Sequence, residues 1–118
     1  MPTAQQRRIG AGVLVLLIAL PASAEDWRAL NGPEIGDALT GRKLIYDNAW
    51  QDFRASGRTL YNAGSDSWGI WTTRGDQYCS QWPPSAIWAC YDVDLNGDET
   101  AVRFRGAGED ISVGRFAE

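Results

Sequence analysis

The chain has 118 residues, with 11 basic and 15 acidic side chains, no histidine and two cysteines. That length sets an expectation of one domain with a modest core. The missing histidine removes Ser-His-Asp and Cys-His catalysis and imidazole metal sites, and the acidic balance argues against nucleic acid or anionic lipid as a partner.

Residues 1–24 read as a secretory signal. Arg7 and Arg8 form a basic start, Ile9 to Leu20 is apolar, and Ala22-Ser23-Ala24 is a small-residue cleavage site. The apolar run is short for a membrane span and Pro21 follows at once, so a retained anchor is the weaker alternative. The residues around the arginine pair match a twin-arginine signal poorly, which leaves Sec export and cleavage after Ala24. The product, residues 25–118, has 94 residues, nine basic against 15 acidic side chains, and a net charge of −6. Its expected location is the periplasm or the cell exterior, with no membrane insertion after cleavage.

Trp27 to Leu30 leads into a short helix. Asn31 or Gly32 can cap it, Pro33 suits the first turn, and Glu34 lies near the positive end. Ile35, Ala38 and Leu39 form an apolar stripe and Gly41 ends it. From there the reading is strand and turn. RKLIYDN is a strand, AWQDFRASGRTLYNAG a hairpin turning near Ser56-Gly57, and SWGIWTTRGDQYCSQW a second hairpin turning at Arg74-Gly75-Asp76. Pro83-Pro84 breaks the run. Ile87, Ala89, Tyr91, Val93 and Leu95 then alternate with Trp88, Cys90, Asp92 and Asp94, and TAVRFRG and DISVGRF close the chain.

The segment YDVDLNGDETAVRF imitates the start of a calcium loop. Asp92, Asp94, Asn96 and Gly97 fit, but position 12 holds Arg103 where the ion needs a bidentate carboxylate. Asn96-Gly97 instead predicts a type I′ hairpin turn. Asp92 and Asp94 then share a face with Arg103 and Arg105 across the hairpin. The alternative is a weak site of another kind at Asp92, Asp94 and Asp98. No metal ligands and no cofactor are assigned.

Cys79 and Cys90 are expected to form a structural disulfide after export, worth about 3 kcal/mol for so short a loop. With the thiols paired no thiolate nucleophile remains. The best carboxylate pair for hydrolysis is Asp47 with Asp52, flanking Trp50, in a chain with little room for a substrate cleft. The tripeptide at 74–76 is ordinary hairpin chemistry, and RGAGED at 105–110 lacks the third glycine and the helix of a dinucleotide loop.

Five of the six tryptophans lie within residues 50–88. They are either core or an aromatic platform. Trp68 and Trp71 differ in parity, so in a regular strand one faces outward.

LNGPEIGDALTGRKLIY, then WGIW, YCSQWPP and WACYDV, resemble a group of small exported proteobacterial proteins of unknown function with a W…C…W-x-C-Y core. The similarity covers about residues 28–116 and is most specific at Tyr78-Cys79 and Trp88 to Tyr91. Some members carry the label dihydrodipicolinate reductase. That enzyme is a larger two-domain protein with an N-terminal glycine-rich phosphate loop and a histidine-rich catalytic segment, neither of which this sequence contains.

These readings converge on an all-β fold, a small antiparallel barrel or curved sheet with one short N-terminal helix. The expected function is non-enzymatic: a periplasmic binding or accessory module. It would hold a small ligand or a periplasmic protein through Trp68, Trp71 and Trp82, with the loop Gln81 to Ser85. The alternative is an acidic protein inhibitor of a periplasmic or cell-wall hydrolase.

Overall fold

Short turns between alternating segments force consecutive strands to pair antiparallel. The computed structural model, which describes residues 26–118, bears this out. The expected export signal over 1–24 lies outside the described residues. The elements are β1 (Trp27–Ala29), α1 (Gly32–Leu39), β2 (Arg42–Ile45), β3 (Trp50–Phe53), β4 (Arg58–Asn62), β5 (Asp66–Arg74), β6 (Gln77–Gln81), β7 (Trp88–Asn96), β8 (Ala101–Arg105) and β9 (Ile111–Phe116).

Strands β2 to β9 each pair with the next, and β9 returns to β2, so eight antiparallel strands close into a barrel. Closure removes most of the edge that an open sheet of this size would present. The last seam is short, only Arg115 opposite Ile45 and Phe116 opposite Leu44. The disulfide joins Cys79 and Cys90, directly opposite one another on β6 and β7. Strand β1 was not anticipated. It pairs with β7 beyond the end of β6, Trp27 opposite Asn96 and Ala29 opposite Asp94. Three residues are too few to show a period.

The helix forms where the sequence placed it. The Asn31 side chain accepts from the Glu34 N–H, and the Glu34 carboxylate accepts from the Asn31 N–H, at 2.9 Å each. Such a reciprocal cap is worth about 1 kcal/mol. The Asn31 N–H also holds the Glu34 carboxyl below its ordinary value. Gly41, at φ 76°, turns the chain out of the helix. Ile35 and Leu39 are fully buried, and α1 closes one end of the barrel. The Gly32 N–H donates to Asp76 Oδ1 at 2.9 Å, so the acid of the 74–76 tripeptide anchors the helix.

Two local expectations need correction. Asn96-Gly97 does not form a type I′ turn, because neither residue has positive φ; Glu99 does, at 61°. Asn96 stays in β7, and its Oδ1 accepts from the N–H groups of Thr100 and Ala101 at 2.9 Å each, which stabilises a longer loop. Ile87 also lies outside β7 and is exposed. Alternation begins at Trp88 because the loop after the prolines runs on to Ile87.

The cross-strand charge pairs form as expected. Asp94 Oδ2 accepts from Arg103 Nε at 2.8 Å and from Arg105 Nε at 2.7 Å, and Trp27 lies over the Arg103 guanidinium. Burial by itself would raise the Asp94 pKa, but the two arginines outweigh it and hold the group below the ordinary carboxylate range. Its oxygens are therefore committed to the hairpin, and no cluster of metal-binding side chains occurs among the described residues.

Candidate functional site

Inward-facing side chains differ between the two ends of the barrel. At the helix end Phe53 stands edge-on to Trp71 and Tyr78, with ring centres 5.7 and 5.8 Å away, and Leu44, Val93 and Val102 fill the remaining space. At the other end the inward set surrounds an open cavity of about 1340 Å³. Eight strands enclose a space of the size that can hold one small ligand.

The cavity wall is aromatic. Tyr46, Tyr61, Tyr78, Trp82, Tyr91 and Phe104 line it. Tyr61 bridges Tyr46 and Trp82 at centroid distances of 6.2 and 6.1 Å, and Tyr78 bridges Phe104 and Tyr91 at 5.2 and 6.2 Å. Three wall glycines make room for these rings. A Cβ at Gly69 would lie 2.6 Å from Trp82 Cε3, one at Gly106 2.7 Å from the Tyr91 ring, and one at Gly114 2.9 Å from the Tyr46 ring. Each glycine lets a flat ring lie against the backbone where any side chain would prop it away.

Polar groups at the cavity floor are paired with one another. Tyr46 O–H donates to Gln51 Oε1 at 2.9 Å, while Gln51 Nε2 donates to Thr59 Oγ1 at 3.0 Å and to the Tyr78 hydroxyl at 3.1 Å. Trp82 Nε1 donates to Ser80 Oγ at 3.1 Å. Satisfied networks of this kind fix their members in place. Burial pushes the phenols of Tyr46 and Tyr78 above their ordinary value. Tyr91 is raised by burial and by the Asp110 carboxylate beside it. The three phenols therefore stay neutral at physiological pH. Charged lining residues, Asp47, Asp66 and Arg115, belong to the rim: a turn, the first residue of β5, and the outer face of β9.

The three tryptophans expected to share a binding surface are in three different places. Trp82 lines the cavity. Trp71 is in the packed core, 8% exposed, its Nε1 donating to the Arg54 carbonyl at 3.0 Å. Trp68 is on the outer face and reaches only the rim, with the Arg58 and Arg54 guanidiniums 4.0 and 4.9 Å from its ring centre. Parity explains the split, since closure sent the face of Trp71 inward and that of Trp68 outward. Asp47 and Asp52 are also apart. Asp47 is at the rim and Asp52 pairs with Arg54 at 3.1 Å.

Sequence reasoning did not place the tyrosines, Gln51 or the three glycines in a site. A signal existed in the shared parity of Tyr78 and Ser80 on β6 with Trp82, the residue just beyond it. Which parity faces inward depends on how the sheet closes. No protein-family model, curated protein or solved structure matches this chain, so the site stands on its own geometry.

Proposed function

We propose that this protein is a non-enzymatic binding module, exported to the periplasm or secreted, that holds a small uncharged molecule in the open end of its barrel. The observation that carries this reading is the aromatic cavity with its internally paired, neutral polar floor. Binding sites are commonly concave, mostly apolar and equipped with a few placed polar groups. A flat molecule suits rings that face inward from several strands, and an ionic one would lose its hydration without finding a counter-charge at the floor, since the charged lining residues stand at the rim. The disulfide agrees with an oxidising compartment, and no described helix is long and apolar enough to cross a membrane. Kinship with the small exported proteobacterial proteins belongs to the same proposal.

The test uses N-phenylnaphthylamine, an uncharged flat fluorophore. It should bind saturably at one site. Trp82→Ala should weaken binding by about tenfold, the loss of one aromatic contact, whereas Trp68→Ala should leave it unchanged. Absence of saturable binding, or equal effects from the two variants, overturns the reading. The inhibitor reading draws on acidic charge, small size, export and the disulfide-braced loop; its mark would be a salt-sensitive complex with a basic hydrolase.

A further inference from the structure

We propose a second site, distinct from the cavity floor: the edge of β9 at the barrel mouth, unpaired among the described residues, is a docking strip for an extended peptide segment of a partner protein. The seam between β9 and β2 holds only Arg115 opposite Ile45 and Phe116 opposite Leu44. Continuing that register would set Val113 opposite Asp47 and Ile111 opposite Ala49. By then the chain has turned, with the Tyr46 N–H donating to the Ala49 carbonyl at 2.8 Å. From Ile111 to Gly114, β9 therefore pairs with β8 alone among the described residues.

The backbone groups facing that gap can be identified. The Phe116 N–H donates to Thr100, toward β8, and the Ala117 N–H donates to Lys43, toward β2. Successive N–H groups of a strand point to opposite sides. Ile111 and Val113 therefore aim their N–H and C=O groups into the gap, while Ser112 and Gly114 serve the β8 ladder. An edge with such groups is a template for another strand. Sequences usually blunt it with lysine or proline, and here it carries Ile111 and Val113, 57% and 45% exposed, beside Ile45 at 43%.

The gap leads into the cavity, since Ile45, Tyr46, Ile111, Ser112 and Val113 all line it. An added strand running antiparallel to β9, as β2 does, would set a residue opposite Ser112 pointing inward among the rings. Its neighbours opposite Val113 and Ile111 would point outward over those side chains. Asp47 and Asp110 stand at the mouth end of the strip. The fitting segment therefore has a large apolar residue between two β-branched ones, followed by a basic residue.

The probe is a fluorescein-labelled peptide, Thr-Val-Phe-Val-Lys, titrated by anisotropy up to millimolar protein. Saturable binding is expected. Val113→Pro removes an N–H that points into the gap and spares the β8 ladder, a position where edge strands tolerate proline. It should weaken binding about tenfold or more, the worth of one or two lost hydrogen bonds. Methylating the backbone nitrogen of either peptide valine should do the same against the unaltered protein, which covers the case of a poorly folded variant. No saturable binding of the parent peptide, or equal binding of the methylated ones, overturns the proposal without touching the cavity reading.

Discussion

The two ends of the barrel obey the same rule of alternation and end in opposite states. At the helix end Ile35 and Leu39 come down from α1 onto Phe53, Leu44 and Val102, and all five are buried. At the mouth the inward positions carry tyrosines, Trp82, Gln51 and Ser80, and among the described residues no element covers them. A barrel of eight strands has enough interior for side chains or for a guest. What decides between them here is the helix. Where it supplies aliphatic side chains the interior is solid; where it does not, rings line a wall and leave the centre open. Packed core and open cavity are thereby separated along one axis.

Substitutions can break or sharpen that separation. The largest effect belongs to the closed end. Phe53→Ala removes a fully buried ring and should cost about 3–5 kcal/mol in denaturant unfolding. Trp82→Ala at the mouth should cost clearly less, because its ring is only half-buried. Equal losses would mean that the mouth is as much core as the floor.

Next comes Gly69→Ala, which adds a methyl against the Trp82 ring. Overpacking costs about 1–3 kcal/mol in a tight site. The ring at the open end can swing aside, but the methyl would also lie 2.8 Å from the backbone carbonyl of Gln81, which cannot, so the expected cost is at the high end. The more telling readout is the indole emission and the affinity for N-phenylnaphthylamine, both of which should change. An unaltered spectrum with unaltered binding would show that the glycine does not position the ring.

The smallest effect lies outside the barrel wall. Asp94→Asn should cost roughly 1–2 kcal/mol at neutral pH, between the values for an exposed and a buried ion pair, because both guanidiniums still reach water. Asp94 is held below the ordinary carboxylate value of about 3.9 in the folded chain. Its contribution is therefore full above that value and is lost as pH falls through the depressed folded value. The stability difference between the two proteins should shrink on acidification below about pH 4. A difference that stayed constant would separate the hairpin charges from folding.

Much of the wall was legible in the sequence. The helix cap at Asn31, the turn at Gly57, the strand pairs around Arg74-Gly75-Asp76, the disulfide and the Asp94–Arg103 pairing all follow from contacts within one hairpin or one turn. Interactions of that range leave a local pattern. The turn after Asn96 was misread because Asn-Gly can serve either as two positive-φ residues or as a side-chain clamp on a longer loop, and local sequence fits both. Grouping Trp68, Trp71 and Trp82 failed for a different reason. Their nearness in sequence says nothing about which side of a closed sheet each one takes.

The sequence by itself determined that the chain is built of short antiparallel strands with one capped helix and a bridge between two neighbours, because period, capping and turn chemistry are properties of adjacent residues. Only the tertiary structure decided that the sheet closes with a two-pair seam, that one parity of each strand faces inward, and that α1 fills one end alone. Those outcomes depend on stagger summed over eight strands. Among the described residues, the cavity and the unpaired stretch of β9 are what that sum leaves over.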